Sequence, residues 1–204
     1  RAEGGFTYND SAYKLVDLPG TYSLLSTSAD EEVARDFILF GQPSVTVVVV
    51  DASRLERNLN LTLQVLEITD RVVVALNLMD EAERHGITVD ARHLSRKLGV
   101  PVVPMVARRG DGIPELLNAI RQIATGEYTT RPHHICQRDT HFEKTLSAMT
   151  DAVLAQYPDL PNARWVALRL LEGDASIEAA IREGRLGDLS QGQSDRFIAL
   201  EAAS

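Results

Sequence analysis

Asp17-Leu18-Pro19-Gly20 and Asn77-Leu78-Met79-Asp80 decide how this chain folds. The first reads D-x-x-G and the second N-x-x-D, and each follows a short apolar run, residues 13–16 and residues 71–76. Runs of this kind are strands of a parallel sheet, buried on both faces. Two more have the same character: residues 45–50, which end at Asp51, and residues 100–105. Open α/β sheets gather their ligands in the crevice outside the carboxyl ends of the strands. The spacing therefore places Asp17, Asp51, Asn77 and the segment after Met105 along one such edge.

Helical patterns fall between these runs. Residues 30–40 carry Val33, Ala34, Phe37 and Ile38, and residues 58–68 put Leu59, Leu63 and Leu66 on one face. Residues 90–98 stop at Gly99, and residues 113–124 carry Leu116, Leu117, Ile120 and Ile123 before Gly126. Glycine just past the periodic stretch is a helix stop. The alternation implies βαβ units. Asp30-Glu31-Glu32 reads as a first-turn acid cluster favoured by the helix dipole rather than as a metal site.

The pattern changes after residue 126. Residues 127–139 have no period and read as a solvated linker. From Thr140 onward only helices are expected. One carries Phe142, Leu146, Met149 and Val153 and ends before Pro158; others span 163–171, 176–183 and 190 to the end. The organisation is an α/β domain over residues 1–126, a linker over 127–139 and a small all-α bundle over 140–204.

Composition narrows the function. Of 204 residues 44% are hydrophobic and 25% charged, an ordinary balance for a globular protein with a core. The net charge of -8 argues against sequence-independent nucleic-acid binding, which needs clustered Lys and Arg. The single cysteine, Cys136, excludes an intrachain disulfide. His133, His134, Cys136 and His141 match no standard zinc or iron spacing. No run is long enough to span a bilayer and no signal peptide opens the chain, so it reads as cytoplasmic. Residues 1–10 hold no initiator Met and no strand-loop-helix opening, which reads as a fragment or the ordered part of a longer chain.

The two motifs carry a specific chemistry. In a nucleotide reading, Asp17 holds Mg²⁺ through a water and Gly20 offers its backbone N–H to a γ-phosphate. Otherwise D-x-x-G is a strand-end Asp before a Pro-Gly turn. Asp80 accepts two hydrogen bonds from guanine N1–H and the 2-amino group, a pair adenine does not offer, while Asn77 ties neighbouring loops together and Met79 lies between them. In Val106-Ala107-Arg108 the Ala107 N–H meets guanine O6; the alternative is a Gly-rich turn. No G-x-x-x-x-G-K-[ST] phosphate loop occurs in the chain.

These segments resemble the FeoB family of bacterial ferrous iron transport proteins. Asp17-Leu18-Pro19-Gly20-Thr21-Tyr22-Ser23-Leu24 is similar to its switch segment. Val50-Asp51-Ala52-Ser53-Arg54-Leu55-Glu56-Arg57-Asn58-Leu59 resembles its fourth strand and loop, and Asn77-Leu78-Met79-Asp80-Glu81-Ala82 its guanine motif. Arg164-Trp165-Val166-Ala167-Leu168-Arg169-Leu170-Leu171-Glu172-Gly173-Asp174 resembles a signature of its helical domain. The likeness covers about Tyr13 to about Asp174.

The resemblance implies a Ras-like P-loop GTPase fold, incomplete at its N-terminus, followed by the helical domain. It implies GTP and GDP as ligands with Mg²⁺, slow hydrolysis coupled to Fe²⁺ uptake, and a membrane permease in the same protein at the cytoplasmic face of the inner membrane. Its nucleotide contacts map to Asp17, Gly20, Asn77, Met79, Asp80, Val106, Ala107 and Arg108. Val106 replaces the usual Ser, and Thr21 stands where Ras-type enzymes carry a water-orienting Gln, so no catalytic residue is assigned. Some members respond to K⁺ through the phosphate loop, which this chain lacks. A homo-oligomer stays open. Two other readings remain: a different bacterial GTPase, and a nucleotide-free docking module on a GTPase-like fold.

Overall fold

A computed structural model describes residues 2–21, 23–24, 28–133, 140–158, 160 and 162–186. It opens with an antiparallel hairpin, β1 (Ala2–Tyr8) and β2 (Ser11–Asp17), with Tyr8 opposite Ser11 and Ala2 opposite Asp17. Its two-residue turn is Asn9-Asp10, both at positive φ, 47° and 59°. Asn and Asp tolerate the left-handed region, and two such residues match the twist of the flanking strands. Phe6 and Tyr13 stack across the hairpin with centroids 5.0 Å apart.

The hairpin corrects one expectation. Residues 13–16 are not a buried strand of the parallel sheet: β2 pairs with β1 alone, and Leu15 is 56% exposed. Lys14 interrupts the apolar run and meets Glu3 of β1 at 2.8 Å, an arrangement suited to a solvated ribbon.

The main sheet is parallel, in the order β3 (Thr46–Asp51), β4 (Val72–Asn77), β5 (Val102–Pro104). Its register sets Asp51 level with Asn77 and Leu76 level with Pro104. The central strand is buried from Val72 through Leu76, as a continuous apolar run requires. The outer strand β3 is one-sided instead: Val48 and Val50 are buried but Val49 is 61% exposed. Helix α5 (Ile113–Ala124) covers Val73 and Val103 with Ala119 and Ile123, and that cover stops short of Val49.

Five helices accompany the sheets. α1 (Ala29–Phe40) is capped by Ser28, whose side chain accepts from Glu31 N, with Asp30, Glu31 and Glu32 in its first turn. α2 (Leu55–Ile68) is three residues longer at its start than the periodicity over 58–68 suggests. α3 (Met79–Arg84) is a short helix directly behind the N-x-x-D motif. α4 (Ala91–Leu98) is capped by Asp90, which accepts from His93 N at 2.9 Å, and α5 spans Ile113–Ala124. Three further helices follow: α6 (Thr140–Gln156), α7 (Ala163–Leu171) and α8 (Ala175–Arg182). The helix expected from residue 190, and His134 and Cys136, lie outside the described residues.

The segment after α5 is not simply solvated. Thr130 is buried and donates to the Asp70 carbonyl, Arg131 N donates to Gly99 O at 3.0 Å, and His133 N donates to Leu98 O at 3.1 Å. Gly99 sits at φ 76°, and a Cβ there would lie 1.8 Å from Arg131 O, so the docking depends on glycine.

One buried apolar cluster runs from Leu24, Ile38 and Leu39 through Val65, Leu66 and Val74 to Leu146, Trp165 and Ile177. Each fully buried aliphatic side chain contributes about 1.5–3 kcal/mol, so this shared core joins the sheet region to the three final helices. Among the described residues no helix is long and apolar enough to cross a membrane.

Candidate functional site

The carboxyl ends of β4 and β5 gather most of the singled-out residues. Asn77 closes β4, and its Oδ1 accepts from Ala107 N at 3.0 Å. Met79 N donates to Met105 O at 3.4 Å, and Met105 N donates to Leu76 O at 2.9 Å. Leu78 adopts φ 62°, which turns the chain from strand into α3 within one residue. Asn77, Met79, Asp80, Val106, Ala107 and Arg108 therefore form one cluster built from two loops.

The loop after β5 is held by its own backbone. Val106 is buried and donates to Asp111 O at 3.0 Å, and residues Ala107–Arg109 form a 3-10 turn. Gly112 closes this loop at φ 84°; a Cβ there would meet Pro104 O at 2.5 Å and Met105 Cβ at 2.7 Å. Glycine is needed there on both counts. Because Val106 acts through its backbone and its burial, Val in place of Ser costs the loop nothing visible.

Asp80 is the charged centre. Its side chain is 12% exposed, Arg108 Nη2 donates to Oδ2 in a tight ion pair, and Arg84 Nη2 stands 3.6 Å from the same oxygen. Oδ1 is buried and has no hydrogen-bond partner. The Arg108 hydrogen bond, opposed by desolvation and aided by the charges of Arg108, Arg109 and Arg84, holds the carboxyl below its usual range. Asp80 thus presents an ionised carboxylate with one oxygen buried and unpartnered. A buried acceptor without a partner is costly unless a ligand satisfies it.

Asp17 and Gly20 lie apart from this cluster, at the end of β2. Among the described residues no hydrogen bond or ion pair joins them to it, and the Asp17 carboxylate has no side-chain partner there. A Cβ added at Gly20 would meet nothing within 4 Å, so the protein's own packing does not demand glycine at that position. The following loop is anchored by Gln64 of α2, whose Oε1 accepts from Leu24 N at 2.6 Å and Ser23 Oγ at 3.3 Å. Neither Gln64 nor Arg84 was singled out from the sequence. Arg84 carries a signal there, four residues after Asp80 on a helix; Gln64 carries none. Asp51 is spent locally, since its Oδ1 accepts from Ser53 N and Oγ at 2.8 and 2.7 Å.

Comparison with known proteins identifies the family. A family model described as ferrous iron transport protein B matches residues 1–120, and one described as the FeoB cytosolic helical domain matches residues 139–200. The chain belongs to the FeoB family. The Fe(2+) transporter FeoB of Salmonella typhimurium (strain LT2) is 43% identical over 180 residues, covering 85% of this chain and 22% of that protein. Its Escherichia coli (strain K12) counterpart is 42% identical over 181 residues, with the same coverage. The chain therefore spans under a quarter of these FeoB relatives.

Solved FeoB structures agree. The cytosolic domain of L. pneumophila FeoB matches with a TM-score of 0.79 at 31% identity, over 97% of this chain and 78% of that one. The T. maritima FeoB cytosolic domain in a GDP form matches with a TM-score of 0.76 at 33% identity, over 91% of this chain and 71% of that one. The Methanococcus jannaschii FeoB G-domain is 47% identical with a TM-score of 0.59, over 61% of this chain and 80% of that one. The fold is a Ras-like GTPase fold followed by the FeoB helical domain.

Proposed function

We propose that this chain carries, in its Asn77–Asp80 cluster, the guanine-reading part of a slow GTPase switch that binds GTP and GDP in a membrane Fe²⁺ transporter. The observation that carries the reading is the Asp80 carboxylate beside the Asn77–Ala107 bond, with Oδ1 buried and unpartnered. Guanine supplies N1–H and 2-amino donors for a carboxylate; adenine does not. Ala107 N–H is committed to Asn77, so guanine O6 must share or take over that donor.

Asp17 and Gly20 supply the phosphate side. The open space at Gly20 admits a γ-phosphate, and the Asp17 carboxylate, without a side-chain partner among the described residues, suits Mg²⁺ held through a water. Mg²⁺ there neutralises phosphate charge. The 204 residues contain no Gly-rich phosphate cradle, so affinity for this exact polypeptide is low and hydrolysis by it negligible. The T. maritima FeoB cytosolic domain is described in GDP and GMPPNP forms, which supports the ligand class. The relatives named Fe(2+) transporter support the cargo, and the match to the FeoB cytosolic helical domain supports a place on the cytosolic side of the membrane. A γ-phosphate on Gly20 would hold the loop through Leu24 and shift α1.

Titration of fluorescent GDP with competition by ADP tests the reading. Displacement by unlabelled GDP but not by ADP is expected, at concentrations up to millimolar. Equal displacement by both removes the guanine assignment, and no binding at all favours a nucleotide-free docking module.

A further inference from the structure

Arg108 does to Asp80 what guanine would do. The Watson–Crick edge of guanine, N1–C2–N2, is a guanidine fragment: two N–H donors fixed in a plane. The arginine side chain ends in the same group, and its fork matches carboxylate geometry. In this structure Arg108 Nη2 already donates to Asp80 Oδ2.

From this we infer that Arg108 is a built-in competitor for the base subsite, resting on Asp80 when the site is empty and displaced by incoming guanine. The inference rests on Asp80 being the guanine-reading residue. Arg108 is 58% exposed, so it has solvent to swing into, whereas Asp80 at 12% does not move freely. Oδ1 is buried and unpartnered while Oδ2 is taken, so guanine reaches the carboxylate only as the Arg108 side chain gives way. The exchange needs no unfolding of the loop, because the turn over Ala107–Arg109 is held by Val106, Asn77 and Gly112 rather than by the Arg108 side chain.

The consequence is faster exchange. A competitor that must be displaced lowers affinity for every guanine nucleotide and shortens its residence, because a side chain waiting nearby recaptures the carboxylate. Neighbouring Arg109 is the natural control. It carries the same charge on the same turn but pairs with Asp111 at 3.0 Å, not with Asp80.

Fluorescent GDP titration and stopped-flow release, applied to the full chain, test the inference. Arg108→Ala is expected to bind GDP about 2- to 5-fold tighter, the range set by an exposed ion pair, with the gain in slower release. Arg109→Ala is expected to move it less than half as far. Weaker or unchanged GDP binding by Arg108→Ala, with Asp80→Asn still abolishing it, overturns this inference alone and leaves the guanine reading in place. GDP binding indifferent to Asp80→Asn overturns both. An NMR titration of the Asp80 carboxyl gives a readout without nucleotide: its pKa rises in Arg108→Ala, and an unmoved value overturns the resting contact.

Discussion

Arg35 Nη1 on α1 stands 3.7 Å from Asp174 Oδ2 at the head of α8, with side-chain exposures of 1% and 7%. Arg35 also donates through Nε and Nη2 to Asp36 Oδ1 at 3.1 and 2.9 Å. Arg169 donates twice to Asp174 Oδ2, at 2.9 and 2.7 Å, and Asp174 Oδ1 caps α8 through Ser176 N at 3.0 Å. Arg185 completes the contact, 3.7 Å from Asp36 Oδ2 and 4.5 Å from the Phe40 ring centroid. The helix that begins just past the Asp17–Gly20 loop is thus tied by charge to the corner of α7 and α8.

Removing one partner of a buried pair strands the other. Asp174→Ala deletes a helix cap and leaves Arg35 without its interdomain acid, at an expected cost of about 2–4 kcal/mol. Urea unfolding of Asp174→Ala, Arg35→Met and the double variant measures the coupling. The two losses are expected to be less than additive; strict additivity would mean that Arg35 and Asp174 do not interact.

The same carboxylate gives a pH dependence. Burial pushes the Asp174 pKa up, but hydrogen bonds from Ser176 and Arg169 outweigh it and lower the value from 3.8 to about 2. A depressed folded pKa stabilises the fold fully above the unfolded value and less as pH falls through the folded one. The stability from Asp174 is therefore present above 3.8 and lost as pH falls toward about 2. Thermal melts across that window are expected to fall more steeply for the wild type than for Asp174→Asn.

Asn77 acts on the loop after β5. In Asn77→Ala the Ala107 amide loses its 3.0 Å acceptor. Its hydrogen exchange is expected to accelerate while the β4 amides stay protected, and GDP affinity to fall about tenfold, the worth of one lost hydrogen bond of roughly 1.4 kcal/mol. Unchanged protection at Ala107 would dissolve the link.

Gly112 is constrained twice, by φ 84° and by the 2.5 Å approach a Cβ would make to Pro104 O. Gly112→Ala is expected to cost about 1–3 kcal/mol from backbone strain alone, with further loss from the clash, read as a lower midpoint in urea. Gly110, also positive in φ but with open space around it, should cost less when replaced by Ala.

Much of this was legible in the chain. The apolar runs over residues 45–50, 71–76 and 100–105 correspond to β3, β4 and the shorter β5, because continuous apolar runs mark buried parallel strands. Asp90 and Gly99 marked both ends of α4. The hairpin was hidden because Gly4, Gly5 and Lys14 break its apolar pattern, and its turn signal is Asn9-Asp10 rather than the commoner Asn-Gly. At the candidate site the acids and Asn77 could be read from spacing. Gln64, Arg35 and the contact of Arg108 with Asp80 could not, since each joins residues far apart in the chain through a tertiary approach that no local pattern encodes.

The most direct test of the guanine assignment exchanges donor for acceptor on both sides. Xanthine carries a C2 carbonyl where guanine carries its 2-amino group, and Asp80→Asn replaces a carboxylate oxygen with an N–H donor. Affinities of wild type and Asp80→Asn for GDP and XDP settle it. The account predicts that Asp80→Asn weakens GDP and strengthens XDP, inverting the preference. Unaltered preference between the two nucleotides would contradict it.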